Sequence, residues 1–316
     1  MTADRGKLMA PYRIGLTGNI ATGKSLVLRR LGELGACTLD ADQLAHARTC
    51  QGEPAWDEIR RRFGEAVLQP GGDLDRAALG RVVFADASGL RDLEAILHPR
   101  VAEEVERRLA NCSAQAAVVE AIKLLEASLA SRCQAIWVTT CSPDRQVERL
   151  VVERGLSQEQ ALLRMHAQPP AALKVQRADV LLENDGSSDE LLHLVDVEWH
   201  EIQAGAAPSQ SPGPDAPVRT AGTWHVREGR HEAVARSLSP SEWRLVVTWP
   251  SRMPRLCRLL LPAIEEEALR AGLVRLTLRI QARTGYRQFL IAMGYEEKHD
   301  GGREPGESSF SRGLCT

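Results

Sequence analysis

The segment Gly18-Asn19-Ile20-Ala21-Thr22-Gly23-Lys24-Ser25 constrains this 316-residue chain more than any other. It meets the phosphate-loop pattern G-x-x-x-x-G-K-[ST] at every fixed position. Such a loop works only between a strand and a helix. Its glycines let backbone amides wrap phosphate oxygens, and the helix adds unpaired N–H groups and the positive end of its dipole. The flanks supply both elements. Residues 12–16 are a short β-like run, and Leu26, Leu28, Leu31 and Leu34 follow in a helical pattern. Lys24 is therefore expected to reach the β- and γ-phosphates of a nucleoside triphosphate, and the Ser25 hydroxyl to coordinate Mg²⁺.

Strand-length apolar runs then alternate with helical patterns. Residues 36–39, 116–122, 135–140 and 180–182 read as strands, and a closing helix runs through Trp199. The long helical stretch between the second and third strands is interrupted at Gly64, at residues 70–72 and at His98-Pro99. This alternation predicts an α/β fold: a three-layer parallel sheet with helices on both faces and a helical lid over residues 143–177. Ligands of such sheets bind beyond the carboxyl ends of the strands.

Residues 204–222 hold four prolines, three glycines and no aromatic residue, and so cannot bury a core. They divide the chain into a leader (1–11), a phosphate-loop domain (12–203), this linker, a small α+β domain (223–299) and a flexible tail (300–316). A net charge of −2 argues against a broad electrostatic hold on nucleic acid or an anionic membrane. No apolar run approaches 18 residues, and the leader enters no apolar h-region. The seven cysteines form no C-x-x-C pair, so reduced, mostly buried thiols in a cytoplasmic protein are expected. Monomer and weak homo-oligomer both stay open. Of 40 basic residues only Lys7, Lys24, Lys123, Lys174 and Lys298 are lysine. A retained lysine marks places where a compact ammonium is needed and a guanidinium fork does not fit.

The base-reading Asn-Lys-x-Asp of regulatory GTPases is absent, as is the Leu-Ser-Gly-Gly-Gln of transport cassettes. About 200 residues suit a small-molecule kinase, which must also hold an acceptor. The second strand ends in Asp40-Ala41-Asp42, where a carboxylate can orient an acceptor hydroxyl and take its proton. Either aspartate can also cap the following helix.

These motifs, with Gly72-Asp73-Leu74-Asp75-Arg76, Phe84 and Leu93-Glu94-Ala95-Ile96-Leu97-His98-Pro99, resemble those of dephospho-CoA kinases in order and spacing. Arg149, Arg154, Gln168, Ala178-Asp179 and Asn184-x-Gly186 continue the resemblance, which covers residue 12 to about 200. It implies transfer of the ATP γ-phosphoryl group to the 3′-hydroxyl of dephospho-CoA. It also implies Asp42 as general base with Asp40 in support, and Arg149 and Arg154 as lid arginines. Asn184 and Gly186 are implied near the adenine, and Arg76 and His98 on the acceptor side. A solvated helix face for the two arginines and a purely structural role for His98-Pro99 stay open. The other readings are a kinase for another nucleotide-like alcohol and a nucleotide-dependent switch acting through the second domain.

One stretch departs from the family pattern. Glu120 stands where the family has aspartate, and Lys123 where it has proline. A longer carboxylate can still hold Mg²⁺ through water. Lys123 is expected either to contact a phosphate or to pair with Glu120 or Glu126. Lys174 can reach the site on lid closure, but a solvated charge is the preferred reading. Residues 223–299 resemble the second half of a GNAT-type N-acetyltransferase. The glycine-rich turn that cradles pyrophosphate there is replaced by residues 250–255, whose Arg252 and Arg255 can meet phosphate only through side chains. A degenerate module serving interaction, stability or weak ligand binding is expected.

Overall fold

The computed structural model describes residues 10–126, 129–205, 216–220, 223–228, 231–239, 241–247, 250–271, 273, 275–281, 284–298 and 307–314. Lys7, most of the leader, residues 206–215 of the linker and residues 300–306 of the tail lie outside them. The first part of the chain runs β1 (Tyr12–Gly18), α1 (Lys24–Glu33), β2 (Cys37–Asp40), α2 (Ala41–Arg48), α3 (Pro54–Phe63), α4 (Arg76–Ala85) and α5 (Ala87–Leu109). It continues β3 (Ala116–Glu120), β4 (Ala135–Thr140), α6 (Pro143–Val152), α7 (Gln158–His166), α8 (Ala171–Arg177), β5 (Val180–Glu183) and α9 (Ser188–Gln203). The five strands form one parallel sheet in the order β2-β3-β1-β4-β5, with helices on both faces.

The second domain comprises β6 (Val218–Thr220), β7 (Thr223–Glu228), β8 (His231–Ser239), β9 (Glu242–Val247), α10 (Met253–Arg270), β10 (Arg275–Gln281), α11 (Thr284–Ala292), β11 (Glu296–Lys298) and β12 (Glu307–Gly313). Its seven-stranded mixed sheet has the order β11-β12-β10-β9-β8-β7-β6. Two of these strands lie where none is expected from sequence: β6 falls in the stretch read as linker, and β12 lies in the stretch read as a flexible tail. β12 pairs with β10 from Arg275↔Gly313 to Gln281↔Glu307. Its buried side chains are Ser309, Phe310 and Ser311, so it carries almost no apolar alternation. Among the described side chains of β8 the buried ones are Ala233 and Ala235, which leave the same weak signal.

Backbone contacts gather the chain into two compact units. One holds residues up to Gly15 with Gly35–Cys133, and the other holds Leu16–Leu34 with everything from Gln134 onward. In the first, Trp56, Ile59, Val67, Leu74, Leu79 and Val83 form a core against which α5 lays Leu90, Leu93, Ile96 and Leu97. Asp40, Asp75 and Asp86 cap α2, α4 and α5 by accepting first-turn amides. The break expected at His98-Pro99 does not occur: α5 runs unbroken with Pro99 inside it, and Arg100 donates to the Ile96 carbonyl at 2.6 Å in the adjoining turn. Cys37 and Cys112 are joined as a disulfide, against the expectation of reduced thiols. Spacing rules find pairs close in sequence, and these two are brought together across 75 residues by the fold.

In the second unit, α7 opens with the Ser157/Gln160 capping box, and Arg30 of α1 clamps both carboxylate oxygens of Asp196 on α9. The second domain packs on the same unit. Arg252 is fully buried against Glu198 of α9, with contacts of 2.8 and 3.1 Å, and Ser251 also donates to Glu198. Arg255 and Arg258 both reach Asp179, just before β5. The side chains proposed to meet phosphate through the acetyltransferase resemblance are therefore engaged on carboxylates of this chain.

Candidate active site

The phosphate loop leaves β1 at Gly18 and enters α1 at Lys24. A Cβ on Gly18 would lie 2.3 Å from Thr139 Oγ1, and one on Gly23 2.3 Å from Asn184 Nδ2. Gly23 also has φ of 100°, the left-handed region that glycine adopts freely. Only a loop without side chains at these points fits between β4 and the turn after β5.

Every carbonyl from Gly18 to Thr22 is held by a donor. Gly18 O accepts from Lys174 Nζ (3.4 Å), Asn19 O from Lys24 Nζ (3.1 Å) and Thr22 Oγ1 (2.8 Å), and Ile20 O from Gln146 Nε2 (2.7 Å). Ala21 O accepts from Arg149 (3.2 Å) and Thr22 O from Asn184 Nδ2 (3.0 Å). Carbonyl and amide of one peptide unit point opposite ways. Tying back the carbonyls of Ile20, Ala21 and Thr22 therefore turns the amides of Ala21, Thr22 and Gly23 to the other side, as an anion-binding nest requires. The Thr22 hydroxyl shares a 2.7 Å bond with Thr139, and the lid segment joins through Ile20 N to Gln168 (2.7 Å) and Asn19 to Pro169 O (3.0 Å). Lys24 is 8% exposed, and the Asn19 Oδ1 is buried without a hydrogen-bond partner among the described residues.

Arg149 is fixed by Asn184, whose backbone and side-chain oxygens accept at 2.8 and 3.0 Å. Beside it, burial pushes the Cys141 thiol up to about 11. Arg154 is exposed beyond the end of α6 and makes no bond to the loop, and Gly186 lies exposed after β5. Sequence reasoning prefers a solvated charge for Lys174 over a reach into the site. In the structure it is 3% exposed and aimed at Gly18. The scarcity of lysine was the signal that could have found it.

The acceptor-side residues lie in the first unit. Asp40 caps α2 through Gln43 N at 2.9 Å, which leaves Asp42, two residues on, to face a cavity of about 210 Å³. Asp42, Glu94, His98 and Lys123 give this cavity its polar groups, and Leu90, Leu93, Leu97, Val101 and Leu129 its apolar wall. Ile122 N donates to Asp42 at 3.3 Å. Lys123 pairs with Glu94 at 2.7 Å, a carboxylate that the sequence reading did not name in place of Glu120 or Glu126. Arg76 is not among the lining residues. It holds the end of α2 through Thr49 Oγ1 (2.8 Å) and His46 O (3.3 Å), and burial draws its guanidinium below the usual range. Glu120 is buried at the end of β3, paired in register with Asp40.

Among the described residues no three His, Cys, Asp or Glu side chains gather as a metal cage. The Ser25 hydroxyl, exposed in the first turn of α1, is the oxygen that the loop itself offers to a hard cation. Such a donor fits Mg²⁺, which takes few protein oxygens and keeps water and phosphate ligands.

A family model described as dephospho-CoA kinase matches residues 12–190. The dephospho-CoA kinase of Geobacter sulfurreducens is 41% identical over 189 residues, spanning 59% of this chain and 96% of that protein. That of Parasynechococcus marenigrum is 44% identical over 184 residues, 58% of this chain and 92% of its own. Among solved structures, the Thermus thermophilus protein TT1252 superposes with a TM-score of 0.55 at 36% identity, over 61% of this chain and 98% of its own.

Proposed function

The chain belongs to the dephospho-CoA kinase family, and we infer that its first domain catalyses the ATP-dependent phosphorylation of dephospho-CoA to coenzyme A. The acceptor is the ribose 3′-hydroxyl, and the reaction belongs to the cytoplasm. The observation that carries this reading is a braced phosphate loop in a chain whose β2–α2 junction also sets a carboxylate, Asp42, on a largely apolar cavity.

The loop amides bind the phosphate oxygens, and Lys24 exchanges its contact with Asn19 O for the β- and γ-phosphates. Mg²⁺, when bound, neutralises charge on the transferred phosphoryl. Ser25 holds it directly, and Glu120 is the candidate to hold it through water. Arg149 acts by fixing the loop and Asn184. Asp42 orients the acceptor hydroxyl and accepts its proton as the oxygen attacks. The apolar wall of the cavity takes the less polar arm of the acceptor, with His98 and Lys123 at its polar rim. The lid keeps water from the γ-phosphate through Gln168, Pro169 and Lys174.

A coupled assay of ADP release with ATP, Mg²⁺ and dephospho-CoA tests the reading. Turnover that depends on dephospho-CoA and yields coenzyme A is expected. ATP hydrolysis at the same rate without acceptor would overturn it.

A further inference from the structure

Among the described residues the second domain meets the nucleotide-binding unit through the arginine anchor at the start of α10 and through α11, which packs along α8. The first turn of α11 also touches the strands that hold the phosphate loop.

Gly285 N, one of the amides that a helix start leaves without an intrahelical partner, donates to the carboxylate of Glu183. Three residues on, and so on the same helix face, Gln288 Oε1 accepts from Thr140 Oγ1 at 2.7 Å. Thr140 and Glu183 are the last residues of β4 and β5, and they face each other in the parallel ladder. Each adjoins a residue that grips the loop. Thr139, before Thr140, bonds Thr22, and Asn184, after Glu183, bonds Thr22 O and Arg149. Asn184 N also donates to Thr140 O at 2.8 Å, which closes the circuit. The approach of α11 is close enough to demand glycine: a Cβ on Gly285 would lie 2.3 Å from Leu181 Cδ2 on β5.

We propose that α11 is a positioning element of the ATP site, in which Gln288 and Gly285 fix the carboxyl ends of β4 and β5 and, through Thr139 and Asn184, the phosphate loop. The second domain is then part of the scaffold of the nucleotide site. Gln288 and Gly285 act through other residues and touch no reacting atom. The proposal rests on the nucleotide-binding half of the proposed function.

The test titrates the full-length chain with the β,γ-imido analogue of ATP and Mg²⁺ by calorimetry, alongside acceptor KM and Tm. For Gln288→Leu, analogue affinity should weaken about 3- to 10-fold, the equivalent of one lost hydrogen bond, while acceptor KM holds. Gln288→Glu keeps the acceptor oxygen and should bind within about 2-fold of wild type, the scatter allowed for one preserved bond. Arg287→Ala removes a neighbouring pair with Glu297 inside the second domain and should change neither constant. Thr140→Val deletes the same bond from the other side. It should match Gln288→Leu and add nothing in the double variant, which also covers the case of Gln288→Leu failing to fold. Wild-type affinity in Gln288→Leu and Thr140→Val overturns the proposal. So does a Gln288→Glu variant as weak as Gln288→Leu, or an equal rise in acceptor KM. Absence of acceptor turnover in wild type would instead sink the kinase reading and leave the titration readable.

Discussion

Lysine is rare in this chain, and at single positions its placement is informative. Lys24 and Lys174 both donate to phosphate-loop carbonyls, from α1 and from α8, while Lys123 pairs with Glu94 on the cavity rim. Replacing Lys174 by Gln should weaken ATP binding several-fold while leaving acceptor KM unchanged, as separate titrations would show. An unchanged ATP Kd would assign Lys174 to packing. For Asp42→Asn, kcat should fall by about 10²- to 10⁴-fold with ATP affinity retained, the range for loss of a general base. Wild-type turnover would remove Asp42 from that role. Lys123→Ala should raise acceptor KM and leave ATP KM alone. An exposed pair such as Lys123–Glu94 contributes about 0–1 kcal/mol to stability, so an unfolded variant is not the expected outcome.

At the scale of elements, local signals were legible and pairing was not. The phosphate loop, the caps at Asp40 and Ser157 and the prolines opening α3 and α6 are short-range features, and each could be read from adjacent residues. β12 could not, because a strand whose buried residues are mostly serine exists through its partners β10 and β11. Arg252 was equally opaque. In sequence it is one of many arginines, and only the packing of α10 on α9 shows that it neutralises Glu198 in a site where both side chains are 1% exposed. Arg252→Ala should destabilise the chain by about 3–5 kcal/mol by leaving a buried carboxylate uncompensated. Denaturant unfolding would measure it, and an unchanged midpoint would show that Glu198 finds another partner.

Two features concern the chain as a whole. The guanidinium groups of Arg107, Arg108 and Arg48 hold the buried Glu104 carboxyl far below the usual carboxylate range. Its pKa is lower folded than unfolded, so the stabilisation is complete near neutral pH and is lost as pH falls through the acid range. In Glu104→Gln, Tm should therefore drop at pH 7 and depend less on pH between about 4 and 2, the window below the unfolded carboxylate pKa. Parallel curves for variant and wild type would contradict this. The Cys37–Cys112 disulfide closes a loop across a separation of 75 residues, so Cys112→Ser should cost about 2–4 kcal/mol in the absence of reductant. Equal Tm values with and without reductant would argue that the bond does not form in solution.

From its residues alone the chain declared a phosphate loop between strand and helix, a parallel α/β sheet and a carboxylate at the end of the second strand. These follow from short-range geometry: where glycine is required, which side chain caps a helix, how often an apolar residue recurs. The chain folded in three dimensions added what depends on contacts between distant segments. Lys174 sits behind Gly18, Cys37 meets Cys112, Glu198 takes up Arg252, and α11 grips Thr140 and Glu183. Such pairings leave no periodic trace, because each is a single contact selected by burial and charge between residues far apart in the chain.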